Sequence, residues 1–174
     1  VIQSGLGLAA FPSPPPDALN SCFALLNHPD AHFTDALWRA DPDGRLLRCD
    51  VFTADDFSLD AGLGWYVRFL RERELVVDAA QGCPPQMLHA GLNLLGHPLP
   101  QHGLTCHGWL AANGPQHISA IAGLDPDTDR WHSCAWSHGD DGEQPAGVDF
   151  LILPGVGYRI FATDAGVLVR PGCG

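Results

Sequence analysis

Apolar positions recur at helical spacing through the first hundred residues and at strand spacing after them. Past the run Ser13-Pro14-Pro15-Pro16, Asp17 or Asn20 is placed to cap a helix through Cys22-Phe23-Ala24-Leu25-Leu26, which stops at His28-Pro29. Thr34–Ala40 reads as a second short helix, Asp43-Gly44 as a turn and Arg45–Val51 as a short strand. Thr53-Ala54-Asp55-Asp56 resembles a capping sequence. Leu63, Val67 and Leu70, flanked by Trp65 and Phe69, share one helical face and predict a helix over about 60–74. Leu75–Ala79 reads as a strand. Pro85–Leu95 reads as a helix with Pro in its first turn and Gly96 at its end.

After Pro100 the pattern changes. Leu104–Ala112, Gln116–Ala122, Trp131–Trp136, Val148–Leu153, Tyr158–Ala162 and Val167–Arg170 all read as strands. Asn113-Gly114 and Thr163-Asp164-Ala165-Gly166 supply hairpin turns. Helices first and antiparallel strands second predict an α+β fold. Its divisions are an extended segment 1–16, a helical lobe 17–100 and a β lobe 101–174, forming one compact domain. No internal repeat stands out.

Composition narrows the function. With 174 residues and 45% apolar content the chain is long enough to bury a core. Its net charge of −11, with no Lys, lacks the basic face that a nucleic-acid partner requires. No apolar run approaches a membrane span, and the first residues lack the basic n-region of a signal peptide. The six cysteines are widely spaced with no C-x-x-C pair, which predicts free thiols in a reducing, cytoplasmic setting.

A cysteine at a helix N-terminus sits in a field that favours its thiolate, so Cys22 is a candidate nucleophile. It needs a base within hydrogen-bond reach and a group to orient that base. Of nine histidines, His117 is the best placed, at the start of a predicted strand. Asp125, in Asp125-Pro126-Asp127-Thr128-Asp129, is the candidate orienting carboxylate. A competing zinc site would draw on Cys106, His107, His117, His132 and Cys134, although no knuckle spacing joins them. A non-catalytic acidic interaction domain is a further alternative.

Asn20-Ser21-Cys22-Phe23, Leu37-Trp38, Gly82-Cys83-Pro84-Pro85-Gln86 and Gln116-His117-Ile118-Ser119 together give a layout that resembles the papain-like cysteine proteases. The compact versions in positive-strand RNA viruses, the leader proteases and tymovirus-type protease/deubiquitinases, are the nearest in layout. The resemblance implies a helical lobe carrying the nucleophile Cys22 and a β lobe carrying the base His117. It also implies that Asn20 and the Cys22 N–H hold the oxyanion, in place of the Gln that many papain relatives put before the cysteine. The substrate would be a polypeptide, either the chain's own polyprotein or ubiquitin, and no cofactor would be needed. The terminal Gly172-Cys173-Gly174 fits the small-residue sequences that such proteases cut. A transglutaminase-like arrangement orders its residues similarly, but Ile118 stands where an aromatic is usual.

Overall fold

The computed structural model describes residues 5–11, 15–28, 34–41, 43–53, 55–70, 85–97, 103–125, 127–140 and 142–171. The expected Leu75–Ala79 strand and the Gly172–Gly174 tail lie outside them. Strands dominate, and all of them pair antiparallel. The expected helical lobe is therefore replaced by a sheet.

The first half runs β1 (Gly5–Ala10), α1 (Cys22–Leu26), β2 (Thr34–Ala40), β3 (Leu46–Asp50) and β4 (Gly64–Phe69), in the sheet order β1-β4-β2-β3. A short pair, β5 (Met87–Leu88) with β11 (Gly166–Val167), lies apart from it. The second half runs β6 (Gly91–Gly96), α2 (Cys106–Asn113), β7 (Ile118–Asp125), β8 (Arg130–Gly139), β9 (Gly142–Gly147) and β10 (Gly157–Ala162), in the order β6-β10-β7-β8-β9. With β9 set aside as an added edge strand, the two halves share one topology.

The match extends to individual residues, so the chain is an internal duplication, contrary to the sequence expectation. Leu37 pairs with Cys49, and Ile121 with Cys134. A bulge follows Thr34 in β2, and the matching irregularity follows Ile118 in β7. Each helix opens with a cysteine disulfide-bonded to the second strand of the hairpin that follows it: Cys22 to Cys49 and Cys106 to Cys134, at sequence separations of 27 and 28. The Cys22 and Cys106 N–H groups donate to Phe57 and Phe150 carbonyls, at 2.9 and 2.8 Å. The next N–H in each helix donates to a carboxylate, Phe23 to Asp56 and His107 to Asp149. Both sites satisfy donors that a helix start leaves unpaired.

Once aligned by structure, the sequence signature is visible. Asp56-Phe57-Ser58-Leu59 with Gly62-Leu63-Gly64-Trp65 matches Asp149-Phe150-Leu151-Ile152 with Gly155-Val156-Gly157-Tyr158. Asp41-Pro42-Asp43 matches Asp125-Pro126-Asp127, and Gly5-Leu6-Gly7-Leu8 matches Gly91-Leu92-Asn93-Leu94.

The repeats meet about a pseudo-two-fold axis, across which equivalent residues face each other. The Ala10 N–H donates to the Gly155 carbonyl, and the Gly96 N–H to the Gly62 carbonyl. Ala9 bridges Val156, and Leu95 bridges Leu63. Leu8, Leu94 and Tyr66 form a small core on the axis, and Arg159 donates to the Tyr66 hydroxyl. Ala10 and Gly96 meet there directly: a Cβ at Gly96 would fall 2.2 Å from that of Ala10. Gly62 and Gly155 both take φ +77°, which admits few other residues.

Each repeat keeps its own core around its disulfide. Phe11, Leu25, Leu37, Leu59, Trp65 and Val67 surround Cys22–Cys49. Trp109, Leu110, Ile121, Ile152, Tyr158 and Ile160 surround Cys106–Cys134. Closing a loop of this length removes unfolded-state entropy worth about 3–4 kcal/mol per bridge in the chain-entropy account.

Three helical readings fail for physical reasons. Thr34–Ala40 is β2, the middle of a sheet. Gly64-Trp65-Tyr66-Val67 in β4 is buried on both faces, so alternation is lost and the apolar run imitates a helix. Gly91–Gly96 is β6, held to β10. The reverse error falls on Leu104–Ala112, which carries α2: its buried Cys106, Trp109, Leu110 and Asn113 are spaced as one helical face. Asn113-Gly114 closes that helix and does not turn a hairpin.

Candidate functional site

Cys22 stands where expected, at the start of a helix, but α1 is only five residues long and its cap is Ser21, whose hydroxyl accepts from the Ala24 N–H. The sulfur is fully buried and bonded to Cys49. A disulfide sulfur is neither a thiolate nor a base-activated nucleophile. Asn20 has an exposed residue position, and its carbonyl accepts from the Leu59 N–H. His117 is exposed on the turn between α2 and β7, in the other repeat from Cys22. Asp125 ends β7, roughly 25 Å of extended chain from His117 at about 3.3 Å per residue. Its carboxylate folds its own turn, accepting from the Asp127 N–H at 2.9 Å and the Thr128 hydroxyl at 2.8 Å. The geometry therefore does not assemble Cys22, His117 and Asp125 into one site.

The zinc alternative loses its thiolates in the same way, because Cys106 and Cys134 are bonded to each other. Among the described residues no three His, Cys, Asp or Glu side chains converge on a metal position. His107 lies beside Asp149, and His132 packs toward Phe150 with ring centroids 6.3 Å apart.

The structure provides two surface grooves, in each of which the end of the strand after the helix meets the segment that follows the shared Asp-Phe pair. The first is also walled by Met87, His89 and Leu92–Leu95 of the second repeat, whereas the described lining of the second lies within its own repeat. In the first, about 250 Å³, Arg39 lies in the groove. Its Nη1 donates to the Ser58 carbonyl at 2.9 Å and to the Ser58 hydroxyl at 3.2 Å, and its guanidinium stands 5.2 Å from the Phe57 ring centroid. Ser58 in turn donates to Asp60 at 2.6 Å.

The second groove, about 290 Å³, has Gly123 where the first has Arg39. Its floor is Phe150 stacked on Tyr158, with centroids 6.2 Å apart and planes at 16°. The Tyr158 hydroxyl accepts from the Leu153 N–H at 2.6 Å, and burial pushes its pKa up to about 12, so it stays neutral. Asp125, Asp127 and His132 stand at the edge. The Asp127 N–H and the Thr128 hydroxyl hold the Asp125 carboxyl below the usual carboxylate range, which keeps it ionised at neutral pH.

No sequence motif announced these grooves. Their residues come from separate strands, and the informative difference, Arg39 against Gly123, needs the repeat alignment. No helix among the described residues is long and apolar enough to cross a membrane. Compared with protein-family models, with curated proteins and with solved structures, the chain matches none.

Proposed function

We propose that the chain is a non-catalytic interaction module, built from two disulfide-stapled β repeats, that works in an oxidising compartment. One observation carries this reading: the sulfur that a protease would use, Cys22 Sγ, is buried and bonded to Cys49. The equivalent bond in the second repeat supports it, since a disulfide at the same place in both repeats fits a structural role. Disulfides persist in oxidising settings and are rare in the cytosol, which favours an extracytoplasmic location over the cytoplasmic one expected from cysteine spacing. The acidic surface, at net charge −11, suits a partner with basic groups.

Cysteine accounting by intact mass tests the proposal. Protein prepared without reductant is denatured and alkylated, and peptide mapping follows. Cys22, Cys49, Cys106 and Cys134 should all resist alkylation until reductant is added, and a ubiquitin C-terminal electrophile should form no adduct. Native labelling of Cys22 that disappears in His117→Ala would overturn the module reading and restore the thiol peptidase.

A further inference from the structure

The duplication lets one groove be read against the other. Arg39 and Gly123 occupy the same place, each two residues beyond the position paired with the disulfide cysteine. In the first repeat a cation from the chain itself, the Arg39 guanidinium, stands over the buried Phe57 ring. In the second, Gly123 has no side chain to do so, and the imidazole of His132 approaches Phe150 instead, 6.3 Å away between centroids. A Cβ at Gly123 would stand 3.0 Å from Tyr158 and 3.1 Å from Phe150, so the glycine leaves these ring atoms at the groove wall. The side walls are apolar, with Leu151 58% and Leu153 42% exposed. The lining carries the carboxylates of Asp125 and Asp127 and the imidazole of His132, and among the described residues no Arg lines the groove.

An aromatic face below and carboxylates at the edge form an environment that attracts a planar cation. We propose that this groove binds the guanidinium of an arginine side chain on a partner polypeptide, in the place that Arg39 takes in the first repeat. The assignment rests on the interaction-module reading and names the chemistry of its partner. The guanidinium lies against Phe150, while Asp127 and Asp125 supply the opposing charge. Leu151 replaces Ser58, so the incoming group meets an apolar wall where Arg39 meets a hydroxyl.

The test is a ¹H–¹⁵N NMR titration of the intact, oxidised protein with the peptide Ac-Gly-Arg-Gly-NH2, beside the same peptide carrying citrulline, its neutral isostere. Saturable shifts should centre on the amides of Gly123, Asp127 and Phe150, and the citrulline peptide should bind about tenfold more weakly. Gly123→Arg, which fills the groove from within, should abolish the shifts. Because a Cβ at 123 crowds both rings, Asp127→Asn serves as a second variant. It should weaken the arginine peptide about threefold to tenfold and leave the citrulline peptide unchanged. Equal binding of the two peptides, shifts that centre elsewhere, or none up to about 10 mM would overturn the assignment. Such a failure in protein whose four cysteines are blocked refutes the groove alone. A reactive Cys22 thiol refutes the module reading beneath it.

Discussion

Asp50 ends β3, and its carboxylate holds the chain as it leaves the sheet. It accepts from the Phe52 and Thr53 N–H groups, both at 2.8 Å, and pairs with Arg48 at 2.7 Å. The Phe52 hydrogen bond foremost, with those of Thr53 and the Arg48 charge, lowers its pKa. A carboxyl whose folded pKa is depressed stabilises the fold above its unfolded pKa, near 3.9, and loses that contribution as pH falls through the folded value. Asp50→Asn should therefore lower the urea midpoint at pH 7, and the gap from wild type should close below about pH 4. Urea titrations across that range check the sign. At this same scale the identity of Cys22 as the residue opening a helix was legible, because polar caps precede an apolar run. Its chemical state was not, because the partner cysteine lies 27 residues away and meets it only when β3 folds beside α1.

Between elements, the crossing of β1 and β6 with the Gly-x-Gly segments of the opposite repeat decides how tightly the halves fit. Ala10 and Gly96 leave room for one methyl group at the axis. Gly96→Ala should cost about 1–3 kcal/mol by overpacking, and adding Ala10→Gly should recover most of it, because the double variant only moves the methyl across the axis. A double-mutant cycle in urea measures the coupling, and additive losses would count against the symmetric contact. The same crossing explains why element types were misread. Strands such as β4 are covered on both faces, so their apolar runs lack the alternation that marks a half-exposed strand. On β7 and β8, with one face more open, the sequence did predict strands.

For the molecule as a whole, the axis pairs unlike residues at equivalent positions: Ala10 with Gly96, and Tyr66 with Arg159. A repeat joined to its own copy would set two methyl groups, or two guanidinium groups, against each other. Separately produced halves, residues 1–84 and 85–174, should therefore associate one-to-one when refolded together under oxidising conditions. Each half alone should associate at least about tenfold more weakly, since two Ala10 methyl groups would overlap in a pair of first halves and two Arg159 guanidinium groups would repel in a pair of second halves. Light scattering after size exclusion reads both outcomes. The duplication escaped the sequence because its matching residues are sparse. They fall on turns, helix caps and the axis, where backbone geometry restricts the choice, while core positions keep only their apolar character, as with Leu25 and Trp109 or Leu37 and Ile121.

By itself the sequence determined an apolar content sufficient for a core, an acidic surface, many turns and strands across much of the second half. Those properties follow from composition and local pattern. The tertiary structure decided the all-antiparallel architecture of the first half, the pairing of the cysteines, the pseudo-two-fold axis and the contrast between a groove lined by Arg39 and one lined by Gly123. Each depends on residues far apart in the chain being brought together, and single-sequence periodicity carries no term for that.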